Sequence, residues 1–395
     1  MLGLYTAGVF APDALLEMCA DAYDFDVPLE RVDGPRHVLR LDRGPTASFK
    51  DFAARFMGRA LGRLVRERGR DLLILTATSG DTGSAVASAF LGVPGIRVVV
   101  LFPIHEVSER QRRQMTTLGG NITTLALETK FDDCQALAKQ AFADPALASL
   151  NLSSANSINI GRLLPQAVYY VYAASRLVDV GGGERVVFSV PSGNFGDLMG
   201  GLLAARMGVP VERFIVATNA NDEVPKYLAT GRYERVVPSR TCISNAMNVG
   251  HPSNFARVVD LYGGRMDERG NVLAAPDLAR MRAELHGVSV DDDETRRTIV
   301  DAYRRHRTIL EPHGAVAWAG LEHFLADVPA RAGTTAISLE TAHPAKFPEE
   351  IRALIQVEPA VPRSLEGLDG RKESYVPMET DYRAFRDFLT REFRP

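Results

Sequence analysis

Between residues 37 and 217, short apolar β-branched runs alternate with helical stretches, and this alternation constrains the fold more than any other feature of the chain. The runs cover 37–41, 72–75, 96–102, 122–127, 185–190 and 214–217. Helical patterns fill 50–68, 82–91, 108–118, 132–142, 160–178 and 197–207 between and after them. Strands separated by helices predict an α/β fold with mostly parallel sheets. A run such as Val98-Val99-Val100-Leu101 has no polar alternation, so its sheet is expected to be covered on both faces. Beyond about residue 275 the pattern turns helical, at 276–286, 292–308, 313–327 and 379–392, with one more short strand near 334–338. Polar residues at 150–156 suggest a linker, and Gly181-Gly182-Gly183 a loop between helix and strand.

Composition narrows the function classes. The 395 residues carry 46 basic and 49 acidic side chains, a net charge of -3. That balance gives no electrostatic reason to expect nucleic acid or an anionic membrane as partner. Cys19, Cys134 and Cys242 are scattered and form no C-x-x-C pair, which fits a reducing, cytoplasmic setting and neither a zinc ribbon nor a disulfide framework. The start, MLGLYTAGVF, has no basic n-region and soon turns acidic at Asp21, Asp24 and Asp26, unlike a secretory leader. No apolar run reaches the roughly 18 residues of a membrane helix. H-E-x-x-H, P-loop and G-x-G-x-x-G signatures are absent, which argues against a metal or nucleotide enzyme.

Five polar segments at element boundaries carry chemistry. In Pro45-Thr46-Ala47-Ser48-Phe49-Lys50-Asp51, a lysine opens a helix. The helix dipole disfavours a cation there, and so lowers the cost of the neutral amine that attacks an aldehyde. The alternative is a solvated first-turn lysine with Asp51 as its dipole partner. Thr76-Ala77-Thr78-Ser79-Gly80-Asp81-Thr82-Gly83 places Thr78, Ser79 and Thr82 at a helix start suited to an anion; the alternative is a helix capped by Ser79 or Asp81. Ser192-Gly193-Asn194-Phe195-Gly196-Asp197 follows a strand and opens a helix, so its backbone could close around a phosphate. Asn156, Ser157 and Arg162 could converge on an anionic substrate, arginine gripping phosphate in a bidentate manner, or form a cap followed by an exposed arginine. Thr341 and His343 lie in a polar segment after the last short strand.

Taken together, PTASFKDFAARFM, TATSGDTGSAVA, NLSSANSINIGRLLPQ, PSGNFGDLMGG, AMNVGHPSNFARV and TAHPAKF resemble, in order, the threonine synthase family of fold-type-II pyridoxal 5'-phosphate (PLP) enzymes. The resemblance spans about residues 20 to 355. It implies two parallel-sheet α/β domains of the tryptophan synthase β-like type with the cofactor in the cleft between them and a helical C-terminal part. The divisions expected are 1–34 as a remnant of the N-terminal domain, 35–155 as the N-terminal domain and 156–395 as the C-terminal domain. The family assigns Lys50 as the catalytic Schiff-base lysine. It assigns Ser192, Gly193, Asn194, Phe195 and Gly196 to the cofactor phosphate, and Thr341 to the pyridine nitrogen. Asp81 falls near the cofactor ring, and Thr78, Ser79, Thr82, Asn156, Ser157 and Arg162 at the substrate. The reaction implied turns O-phospho-L-homoserine and water into L-threonine and phosphate, in a cytoplasmic monomer or homodimer with a small-molecule substrate and no metal. Two departures stand out: only 49 residues precede Lys50, and Asn248 occupies a position where the family has aspartate. They keep open a paralogue acting on another phosphorylated or β/γ-substituted amino acid, and a PLP-binding homologue without turnover.

Overall fold

The computed structural model describes residues 1–179, 181–331 and 333–394. Its strands are β1 (Leu29–Asp33), β2 (Arg36–Arg40), β3 (Leu72–Ala77), β4 (Ile96–Pro103), β5 (Ile122–Leu127), β6 (Leu152–Ser154), β7 (Val186–Pro191), β8 (Val211–Thr218), β9 (Arg265–Met266), β10 (Val272–Ala274), β11 (Leu285–Ser289), β12 (Ala336–Glu340) and β13 (Val376–Met378). They form a five-stranded sheet in the order β13-β5-β4-β3-β6, a six-stranded sheet in the order β1-β2-β12-β7-β8-β11, and the small β9-β10 ribbon. The first sheet is parallel throughout. In the second only β1 runs antiparallel to its neighbour.

Each sheet belongs to a separate compact unit. The unit with five strands contains Leu2–Phe25, Arg43–Arg162 and the chain from Val361 on. Its central strand shows why the apolar run at 98–101 has no polar alternation. Val98, Val100 and Phe102 enter a core with Ala54, Met57, Val86 and Phe90. Val99 and Leu101 enter another with Leu137, Phe385 and Leu389. Successive side chains point to opposite faces, and here both faces are helix-covered, so every position is apolar.

The unit with six strands contains Asp26–Asp42 and Leu163–Ala360. One face of its sheet packs Val187, Ile215 and Val288 with Val316, Ala319 and Phe324 of the helix Pro312–Asp327. Trp318 of the same helix joins Val38, Ile299 and Ile351 in another cluster. From Gly314 to Leu321 that helix is buried on every side, which explains the unbroken apolar run there.

Several expectations are corrected. The stretch 160–178 is two short 3-10 turns, Ile160–Arg162 and Leu164–Gln166, and then the helix Ala167–Leu177; Pro165 cannot sit inside a regular helix. The stretch 276–286 is a shorter helix, Leu278–Glu284, followed directly by β11, which pairs with β8. The proposed linker at 150–156 contains β6, an edge strand beside β3. Helices Pro12–Ala22, Glu223–Thr230, Phe255–Leu261 and Pro348–Ile355 had no counterpart in the sequence reading. The compact units also cut the chain differently from divisions at 34/35 and 155/156. Residues 36–40 pair in parallel with β12, and β13 pairs with β5, so the chain segments interleave.

Candidate active site

In the five-stranded unit, Lys50 opens the helix Lys50–Arg68 after a constrained turn. Thr46 donates to the Asp51 carboxylate with both its backbone N–H (2.8 Å) and its hydroxyl (2.7 Å), and Gln114 donates to the Thr46 carbonyl at 3.0 Å. Asp51 is therefore a buried clamp on the turn as well as a first-turn acid. Ala47, within the turn, holds a left-handed φ of 53°, a conformation that costs a non-glycine residue energy and persists because the surroundings enforce it. The outcome is a lysine side chain only 16% exposed, its Nζ 3.9 Å from Asp81 Oδ2 and 4.6 Å from the Phe49 ring centroid.

Asp81 begins the helix Asp81–Phe90, whose cap differs from both alternatives considered. Gly80 occupies the cap position at φ 130°, and the Thr78 hydroxyl accepts the N–H groups of Gly80 (2.9 Å) and Gly83 (2.8 Å). Asp81 Oδ1 accepts from Gln111 Nε2 at 3.0 Å. Gln111 is itself held by a capping box with Ser108. Sequence reasoning missed Gln111; the Ser108-x-x-Gln111 spacing is the signal that would have marked it as fixed.

The other candidates of this unit gather around the same two elements. Asn156 accepts from the Ala77 N–H at 3.2 Å and donates to the Ala77 carbonyl at 2.7 Å, so its amide fixes the end of β3. Arg162 is buried and donates to the Lys50 carbonyl at 3.2 Å, which excludes the exposed-arginine alternative. Ser79, Thr82 and Ser157 are half-buried.

In the six-stranded unit, β7 leads into residues 192–196. Ser192 is pinned to Ala217 and Val190. Asn194 accepts the Ser253 N–H at 2.6 Å, and its carbonyl accepts from Asn254 Nδ2 at 2.9 Å. Phe195 turns left-handed at φ 61°, and Gly196 begins the helix Gly196–Arg206. A Cβ on Gly193 would lie 2.8 Å from both the Ala246 carbonyl oxygen and Met247 Cα, so only glycine fits. Asp197, in the first turn, is bound by the hydroxyls of Tyr169 (2.5 Å) and Tyr170 (2.7 Å). Burial first, and then the Asp197 charge, push Tyr170 well above its ordinary pKa, so it remains a donor. The acid that an anion would meet at this helix start is thus held by phenols. A left-handed bend, a side-chain-free cradle and a helix N-terminus together suit a phosphomonoester, so these residues fit the phosphate of PLP.

Thr341 directly follows β12, the parallel neighbour of β7, so Thr341 and the 192–196 loop leave the sheet at the same end. The carboxyl ends of parallel strands are where such sheets bind ligands. His343 accepts the Ala345 N–H and caps a short turn, a structural role. Asn248 closes a loop: its Oδ1 accepts from Cys242 N–H (3.1 Å) and Asn219 Nδ2 (3.0 Å), while its Nδ2 donates to the Cys242 carbonyl (3.3 Å). An aspartate could not supply that donor.

Comparison with known proteins agrees with this chemistry. A family model described as pyridoxal-phosphate dependent enzyme matches residues 28–339, and one described as threonine synthase, C-terminal, matches residues 314–389. The chain is 40% identical to a threonine synthase of Haemophilus influenzae over 98% of its own length and 86% of that protein. It is 41% identical to that of Escherichia coli over 92% and 80%. The crystal structure of PLP-bound threonine synthase from Brucella melitensis superposes with a TM-score of 0.90 at 34% identity, covering 100% of this chain and 87% of that one. A family match across most of the sequence and relatives of this identity over most of both chains lead to one conclusion: the chain belongs to the threonine synthase family of PLP-dependent lyases.

Proposed function

We propose that this enzyme converts O-phospho-L-homoserine and water into L-threonine and phosphate. The observation that carries the reading is the placement of Lys50, with Nζ 3.9 Å from Asp81 and its backbone carbonyl held by the buried Arg162. PLP, when bound, supplies an electron sink for charge developing at the substrate carbon skeleton. Lys50 would hold the cofactor through its aldehyde, and its tethered amine has both Cα and Cβ of a substrate within reach for proton transfer. Asp81, anchored by Gln111, keeps that amine oriented. Residues 192–196 would hold the cofactor phosphate, and the Thr341 hydroxyl would serve the pyridine nitrogen, as a weaker partner for a proton there than a carboxylate.

Thr78, Ser79 and Thr82 take the substrate carboxylate and phosphate region, with Ser157 and Arg162 at the departing phosphate, where fixed donors stabilise developing charge. Asn156 acts in this scheme by fixing Ala77 beside Thr78. We place the enzyme in the cytoplasm, as a monomer or homodimer. Among the described residues no helix is long and apolar enough to cross a membrane.

The test is a steady-state assay with O-phospho-L-homoserine that follows phosphate and amino-acid product together, with Lys50→Ala as control. Equal phosphate and threonine, abolished in Lys50→Ala, is the expected result. Release of 2-oxobutyrate and ammonia in place of threonine would reassign the enzyme to elimination. A Schiff-base band near ~420 nm without turnover would overturn the substrate.

A further inference from the structure

The helix Pro312–Asp327 starts with an arrangement that none of the assigned roles uses. Glu311 caps it: one carboxylate oxygen accepts the Gly314 N–H at 2.9 Å, and the other accepts the His313 N–H at 2.8 Å and lies 2.5 Å from His313 Nδ1. On the far side of the ring, His313 Nε2 accepts the backbone N–H of Ala246 at 3.1 Å. A backbone N–H can only donate, so Nε2 carries the lone pair and the ring proton sits on Nδ1, facing Glu311. Glu311 and His313 are both buried. The segment reached in this way, Ala246 and Met247, is the backbone that presses on Gly193 with no room for a Cβ.

We infer that His313 is a positioning residue for the cofactor phosphate. Through Ala246 it fixes the wall behind Gly193, and that wall sets where the amides of residues 193–196 point. The inference rests on the reading that residues 192–196 hold the phosphate. The same helix start also reaches the strand end before Thr341, because the Glu311 N–H donates to Glu340 Oε1 at 2.8 Å. Gly314 leaves no space there either: a Cβ would lie 1.6 Å from Glu340 Oε2. Glu311 thus ties the helix start to both the 246–247 wall and the end of β12.

The experiment measures PLP affinity of the apoprotein by absorbance titration and the 31P resonance of bound PLP, with apoprotein melting as the folding control. His313→Phe keeps a ring of similar size and removes the acceptor. His313→Gln restores an acceptor. We expect His313→Phe to weaken PLP binding about tenfold or more and to shift the 31P resonance, since a buried N–H is left without a partner. His313→Gln recovers most of the loss, and KM for substrate at saturating PLP stays near wild type.

Wild-type affinity and 31P shift in a folded His313→Phe would overturn the inference, as would a His313→Gln variant as weak as His313→Phe. If His313→Phe does not fold, His313→Asn serves. Its amide can keep a donor toward Glu311 in the place of Nδ1 but is too short to reach the Ala246 N–H, so PLP affinity must fall in that variant too. Gly193→Ala separates this inference from the reading beneath it: undiminished PLP affinity there would remove the phosphate from this loop altogether.

Discussion

Replacing Glu223 with glutamine should remove a loss of stability that the wild type suffers as pH rises from about 4.5 to about 7, and the size of the effect follows from where the side chain lies. Glu223 opens the helix Glu223–Thr230 and is 1% exposed. No other described residue bonds to either of its carboxylate oxygens. Burial pushes its pKa up from 4.5 to about 7, with the neighbouring Asp222 charge adding to the rise. Between those values the folded protein holds a proton that the unfolded chain has already lost. Stability from this group is therefore full below pH 4.5, falls as pH rises through the window, and is constant above about 7. A shift of that size corresponds to about 3 kcal/mol, or roughly 4 °C in Tm for a chain of this length. Glutamine carries no such proton. Melting curves of wild type and Glu223→Gln at matched pH between 5 and 8 test this, because every other titrating group cancels in the difference. The Tm advantage of the variant should grow steadily across the window and then level off. A difference that stays flat with pH would refute the reasoning, whatever its sign.

Two further outcomes follow from contacts of single side chains. Asn248→Asp removes the donor to the Cys242 carbonyl and sets a carboxylate against it, so it should lower stability by about 1 to 2 kcal/mol at neutral pH, read by denaturant titration; an unchanged midpoint would show the loop does not need that donor. Gln111→Leu frees Asp81 on the side away from Lys50 and should lower kcat about tenfold, which corresponds to roughly 1.4 kcal/mol of transition-state stabilisation, with a smaller change in KM; equal kcat in the two proteins would remove Gln111 from the machinery.

The parts of the site legible in the sequence are those whose chemistry is local. Lys50 at a helix start and the Ser192 to Gly196 turn after a strand could be read because residue type and element boundary coincide there. Asn156 and Arg162 were found as polar residues of the right kind, yet their partners, Ala77 and the Lys50 carbonyl, are set by how distant segments pack. Gln111 and His313 went unread for the same reason: each acts through one long-range contact, to Asp81 and Ala246. In the fold, Leu285 to Ser289 is short and follows helical sequence without a break, so local pattern reads it as helix; its strand state comes from pairing with β8. Tertiary pairing overrode local preference there.

The interleaving of chain segments also bears on how the protein is made. The five-stranded sheet is bounded by β13, and one of its cores takes in Phe385, Phe388, Leu389 and Phe393 from the final helix. In the six-stranded sheet, β2 is seated by β12, some three hundred residues later in the chain. A ribosome releasing this protein at about 5–20 residues per second has emitted nearly all of it before either sheet can close. Nascent strands therefore wait with unpaired edges, the condition in which other strands can add to them. An early stop, or a nick that frees the last helix, strips part of one core and leaves a fragment suited to chaperones and proteases, so for this architecture a chain is either finished or discarded.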